Sequence, residues 1–258
     1  MTRIARIFVV AWLALALAGC ATLGRDETAD WSAERFYEEG RSAMDAGDYE
    51  KAAGLFERLE ARFPHGPYAQ QAQLELPYAY YRGREPASAI AAADRFIQLH
   101  PRHEHVDYAY YIRGLASFQH AETRMERLFR QDAAERDPQA ARESFAYFRE
   151  LVQRFPDSRY AEDATERMIH LRNMLARYEL HVANYYFRRG AMLAAANRAK
   201  YVVENYDQTP SVPDALAMMA QAYGELGQDD LADDAREVLR LNFPDHPAAQ
   251  APRAQRGN

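Results

Sequence analysis

The stretch Gly47-Asp48-Tyr49-Glu50-Lys51-Ala52, followed by Phe56, Leu59 and Phe63-Pro64, decides how the rest of the chain is read. Aligned at Phe63, it recurs at His100, Phe155, Tyr206 and Phe243. Four positions before these anchors stand Leu59, Phe96, Leu151, Val202 and Leu239, and eleven before stand Ala52, Ala89, Ser144, Ala195 and Ala232. Large apolar residues with a small one seven positions upstream describe one face of a helix that a neighbour approaches closely. Sixteen before the anchors are Gly47, Arg84, Gln139, Gly190 and Gly227, with glycine in three of the five. Pro64, Pro101, Pro156 and Pro244 follow four anchors and stop the helices there.

Composition points the same way. The chain has 258 residues, with 48 alanines, 12 Gly and 12 Pro, while Val and Ile are sparse after residue 19. Helix formers dominate and strand formers are scarce, which excludes a sandwich, a barrel or a parallel sheet. One cysteine allows no internal disulfide and no paired-cysteine zinc cage. The formal net charge is −6, and loss of residues 1–19 with Arg3 and Arg6 would leave −6 − 2 = −8. Such a charge repels a phosphate backbone, so no nucleic-acid partner is expected.

The anchors at 63, 100, 155, 206 and 243 lie 37, 55, 51 and 37 residues apart. A period in the mid-thirties, with Gly-x-x-x-x-Ala inside and Pro at the end, resembles the tetratricopeptide repeat. The expected fold is all-α, a solenoid of about five helical hairpins; the plain alternative is an irregular helical bundle. Extra length in the third unit falls in 116–137, before a helix start at Pro138. In the fourth it falls in a long helix from about Tyr160 to Phe187, free of Gly and Pro. Pro77 interrupts the helix expected from Tyr68 to Tyr81, where it should produce a kink.

At the front, Arg3 and Arg6 precede an apolar run from Ile7 to Ala18, too short to span a bilayer but suited to a secretory signal. The following Leu17-Ala18-Gly19-Cys20 resembles the bacterial lipobox, which implies cleavage after residue 19 and a covalent lipid on Cys20. Ala21, where the sorting rule for inner-membrane retention has Asp, implies the outer membrane. Residues 20–30 then form a lipidated tether, and 248–258 a flexible tail.

No catalytic motif occurs, and no cofactor is expected besides the lipid. His100, His103, Glu104 and His105 form the one tempting metal cluster, but Pro101 separates its members, so a solvated turn is the better reading. Asp229, Asp230, Asp233 and Asp234 suit the start of a helix better than a calcium loop. The clusters Tyr78, Tyr80, Tyr81 and Tyr108, Tyr110, Tyr111 cannot all face one core, so some rings reach a surface or groove.

Longer blocks carry a more specific resemblance. Phe63 through Gln71, Tyr78-Ala79-Tyr80-Tyr81, Asp94 through Ile97, Asp107 through Leu115, Arg136 through Gln139, Leu175 through Glu179, Ala183 through Gly190 and Asn197-Arg198 together resemble the BamD family, lipoproteins of the outer-membrane β-barrel assembly machinery. The resemblance implies a non-enzymatic scaffold, lipid-anchored on the periplasmic face of the outer membrane. Its N-terminal half, 31–137, would receive the C-terminal β-signal of unfolded outer-membrane proteins, on Phe63, Pro64, Tyr68, Gln71, Tyr78, Tyr81 and Arg95. The C-terminal half, 138–247, would dock on a POTRA domain of BamA through Arg198, with other Bam lipoproteins as possible partners. Gln98 stands where some relatives carry a basic residue implicated in substrate contact. The alternative function is a repeat lipoprotein that binds peptidoglycan or recruits cell-wall hydrolases.

Overall fold

The computed structural model describes residues 28–129 and 138–250; the signal segment, Cys20, most of the tether, residues 130–137 and the last eight residues lie outside the described residues. Among the described residues there are ten helices and no strand. They pair as α1 (Ala33–Asp45) with α2 (Tyr49–Arg62), α3 (Pro67–Arg82) with α4 (Pro86–Leu99), and α5 (Val106–Phe129) with α6 (Gln139–Arg154). The last two pairs are α7 (Ala161–Arg188) with α8 (Met192–Asn205) and α9 (Val212–Glu225) with α10 (Asp229–Asn242). Each helix packs on the one before and the one after. The expected five-hairpin solenoid is the architecture found, and the long helix expected in the fourth unit is α7, within a residue of its expected ends.

The repeated residues explain the repeated geometry. Each anchor caps a second helix: the N–H groups of Phe63, His100, Phe155 and Phe243 donate to the carbonyls of Leu59, Phe96, Leu151 and Leu239 at 2.8 Å, and Tyr206 does so to Val202 at 2.9 Å. The next residue is proline in four of the five, so the helix cannot continue. Inside four hairpins the chain reverses through a left-handed residue, Gly47, Arg84, Gly190 or Gly227, with φ of 78°, 62°, 76° and 69°. At each, a main-chain bond spans the turn, as from Asp48 N to Ala43 O and from Glu85 N to Tyr80 O, both 2.9 Å. Arg84 alone adopts this conformation without being glycine, at a steric cost.

Between helices the small residues do what their spacing requires. Ala52, Ala89, Ser144 and Ala195 are fully buried, and Ser144 Oγ donates to the Gly114 carbonyl at 3.2 Å. In two hairpins the approach is closer still: a side chain on Gly40 or Gly114 would meet the ring of Phe56 or Phe148 at 2.5 Å. Pro77 does not end α3, which continues to Arg82 with the proline buried.

First helices also touch one another, α1 with α3, α3 with α5 and α7 with α9, more extensively than any two second helices do among the described residues. The first helices therefore line the inner side of the array and the second helices its outer side. The third and fourth hairpins are joined by side chains: Tyr111 stacks on Tyr160 with centroids 4.6 Å apart, and its hydroxyl donates to Asp163 at 2.7 Å. The described residues just outside the first and last hairpins pack onto them. Arg62 donates to the Thr28 carbonyl, so the end of the tether is fixed, and Ala248 and Ala249 pack against the last hairpin rather than beginning a free tail.

Candidate functional site

On α3, Tyr68, Gln71, Glu75, Tyr78 and Arg82 follow one another by three or four residues and so share a face. That face meets α1, which presents Glu34, Tyr37 and Arg41 at the same spacing. The Tyr68 hydroxyl donates to Glu34 at 2.9 Å, its ring lies 5.8 Å from that of Tyr37, and Arg41 pairs with Glu75 at 2.6 Å. Towards the other end Arg82 donates to the Tyr78 hydroxyl at 2.6 Å and covers the ring of Tyr49. Of these, Arg41, Tyr49, Glu75, Tyr78 and Arg82 line an inner hollow of about 440 Å³ together with Tyr108 of α5 and with Arg159 and Tyr160 before α7, while Glu34, Tyr37, Tyr68 and Gln71 lie beyond its lining.

The hollow is aromatic at its walls and mixed in charge. Tyr108 is partly buried, and burial, then Glu75, raises its pKa well above the ordinary tyrosine value. The Glu75 carboxylate beside Arg41 raises the pKa of that guanidinium above its ordinary value. Arg82 and Arg159 stand differently: each lies over tyrosine rings, and neither makes an ion pair among the described residues. Two exposed guanidinium groups beside rings can accept a carboxylate and an aromatic side chain together.

The expected peptide-binding residues fall into three places. Tyr68, Gln71 and Tyr78 share the inner stripe of α3. Tyr81 lies beside Tyr78, at 6.3 Å between centroids, and turns towards the central core. Phe63 and Pro64 occupy the turn before α3, the Phe63 ring resting 6.4 Å from Phe36. Arg95 is not brought to the rings of the inner stripe. It belongs to α4, a second helix, and pairs with Glu60 at 2.7 Å in an outer hollow shared with Gln73 and Tyr80. Nothing in the sequence singled out Arg41, Glu75, Arg82, Arg159 and Tyr160 for this site. The three-and-four spacing on α3 could have found Glu75 and Arg82, whereas Arg159 and Tyr160 arrive from two hairpins away.

At the His cluster, the two ring nitrogens of His100 are engaged by Gln70 at 3.3 Å and Gln73 at 2.7 Å. Among the described residues no group of three or more His, Cys, Asp or Glu is placed to hold a metal ion. Asp229 and Asp230 occupy the first turn of α10. Among the described residues no helix is long and apolar enough to cross a membrane.

Arg198, on α8, is half-exposed and pairs at 3.0 Å with Glu179 of α7, which is buried. Arg142 of α6 reaches the other carboxylate oxygen of Glu179 at 3.4 Å. One buried charge thus holds two arginines from different helices at the surface, a link that helix spacing alone could not reveal.

Residues 29–239 match the YfiO family, described as outer membrane lipoprotein. The chain is 45% identical over 252 residues to the outer membrane protein assembly factor BamD of Neisseria meningitidis serogroup B, covering 96% of this chain and 94% of that protein. To BamD of Vibrio cholerae it is 38% identical over 231 residues, covering 89% and 95%. Among solved structures it is similar to a TPR protein of Thermus thermophilus at 15% identity and a TM-score of 0.38, covering 83% of this chain and 92% of that one.

Proposed function

This chain belongs to the BamD family of outer-membrane lipoproteins, and on that premise we propose that it is a non-enzymatic scaffold for outer-membrane protein assembly. It receives unfolded β-barrel proteins through their C-terminal β-signal and docks on BamA. It is held at the periplasmic face of the outer membrane by lipid on Cys20, with other lipoproteins of the machinery as further partners.

The observation that carries this reading is the inner hollow between α1, α3 and α5. In an extended strand, alternate side chains point the same way about 7 Å apart. Such a strand can lay one ring against Tyr78 and Tyr108 while its terminal carboxylate meets Arg82 or Arg159, a role that falls to these two rather than to Arg95. The affinity should be modest, since ordering a flexible segment costs several kcal/mol. The C-terminal half supplies the docking face for a POTRA domain of BamA, where Arg198 offers an acidic partner a cation already held in place by Glu179.

Affinity purification from detergent-solubilised envelopes tests this directly. A BamA-like barrel should co-purify, and a peptide ending in an aromatic residue should bind the wild type but not a Tyr78→Ala, Arg82→Ala variant. Recovery of murein hydrolases in place of the barrel would replace this reading with the cell-wall alternative.

A further inference from the structure

The array has a second hollow of about 420 Å³ on its outer side, between α6, α7 and α8. Unlike the inner hollow and the one around Arg95, which mix both charges, it is lined by three arginines and no carboxylate. Arg142 and Arg149 lie seven residues apart on one face of α6, with Phe145 between them, and Arg172 faces them from α7. Two of the three are partly neutralised, Arg142 by Glu179 and Arg172 by Asp207 outside the lining. Arg149 is exposed and makes no ion pair among the described residues. The floor is apolar, formed by Phe145 and Leu175, and Tyr201 stands at the rim with 40% of its surface in solvent.

We propose that this outer hollow binds an acidic segment of a partner protein that inserts one large apolar side chain between Phe145, Leu175 and Tyr201 and sets carboxylates against Arg149 and its neighbours. Charge complementarity carries the choice of occupant: Arg149, without an ion pair, stands beside the partly compensated Arg142 and Arg172 in a lining with no carboxylate, a setting that an acidic segment enters and a basic one does not. Guanidinium groups bind carboxylates bidentately, and the apolar floor supplies the burial that charge pairs alone do not. A peptide fits better than an anionic lipid, because the hollow is a bounded depression between helices and the lining adds the amide of Asn205. Its Nδ2 donates to the Tyr201 carbonyl, which leaves the amide oxygen to accept a main-chain N–H. Arg198 is not part of the lining but shares Glu179 with Arg142, so the test is placed on Arg149 and Tyr201, which make no ion pair with Glu179.

The test uses the full-length chain in detergent and a fluorescein-labelled octapeptide of four Asp and Glu residues around Phe and Leu, with its Asn and Gln counterpart as control. Binding is followed by fluorescence anisotropy. The acidic peptide should bind saturably, about tenfold or more tighter than its neutral counterpart, and should weaken as salt is raised. Arg149→Glu and Tyr201→Ala should each reduce its affinity by about tenfold or more without changing the helical circular dichroism. Equal binding of the two peptides, indifference to both substitutions, or Arg149-dependent binding to phosphatidylglycerol vesicles without peptide binding would overturn the proposal.

Discussion

Gly114→Ala sets two effects of opposite sign against each other, and the structure decides which prevails. Gly114 lies inside α5, where alanine is favoured over glycine by about 1 kcal/mol. Its new Cβ would lie 2.5 and 2.6 Å from two ring carbons of Phe148, which is fully buried. Overpacking of a filled core costs about 1–3 kcal/mol, and contacts this short against a ring with no room to retreat belong at the upper end. The net expectation is a loss of about 2 kcal/mol after the helix gain is subtracted. For a chain of this length that lowers the thermal midpoint by about 4–8 °C. Gly54→Ala is the control: it too is helical, and a Cβ there meets nothing within 4 Å, so the propensity gain should appear alone as a rise of about 2–4 °C. Thermal and urea unfolding by circular dichroism measure both. In a Phe148→Leu background the cost of Gly114→Ala should largely vanish, because the clash partner is gone. If Gly114→Ala stabilises as much as Gly54→Ala, close helix contact does not explain the small residues of these repeats.

Other expectations rest on the same geometry. Arg84→Gly removes the strain of a left-handed arginine and should stabilise the second hairpin by about 1 kcal/mol, read as a higher urea midpoint; a lower midpoint would show that the arginine side chain outweighs its backbone. Arg142→Ala or Arg198→Ala alone leaves Glu179 one partner, so each should cost about 1 kcal/mol, whereas the double variant strands a buried carboxylate at about 3–5 kcal/mol; strict additivity would refute the shared clamp. Tyr111, through burial and its bond to Asp163, and Tyr206, through burial, both have pKa values pushed up to about 12. The unfolded chain ionises these phenols near the ordinary value of 10 while the folded chain keeps their protons, so their stability contribution is whole below pH 10 and is lost between pH 10 and 12. Absorbance at 295 nm should show a late tyrosine fraction, which a single step near pH 10 in the folded protein would contradict.

The sequence by itself determined the array. Its five anchors, the alanines eleven positions upstream and the prolines behind them are local signals, because a helix stop or a small contact residue acts within a turn or two of where it is written. Tyr68, Gln71 and Tyr78 come from the family resemblance, and the structure sets them on one stripe of α3. What only the tertiary structure decided is which side of the stack each helix occupies and what reaches it from afar. Arg95 and Tyr78 come from adjacent helices of one hairpin, yet α3 faces inward and α4 outward, so they line separate hollows. Arg159 and Tyr160 join Tyr78 across two hairpins, and Glu179 gathers Arg142 and Arg198 from the helices on either side. Such meetings depend on the rotation between successive hairpins, which is set by the packing of whole helix faces.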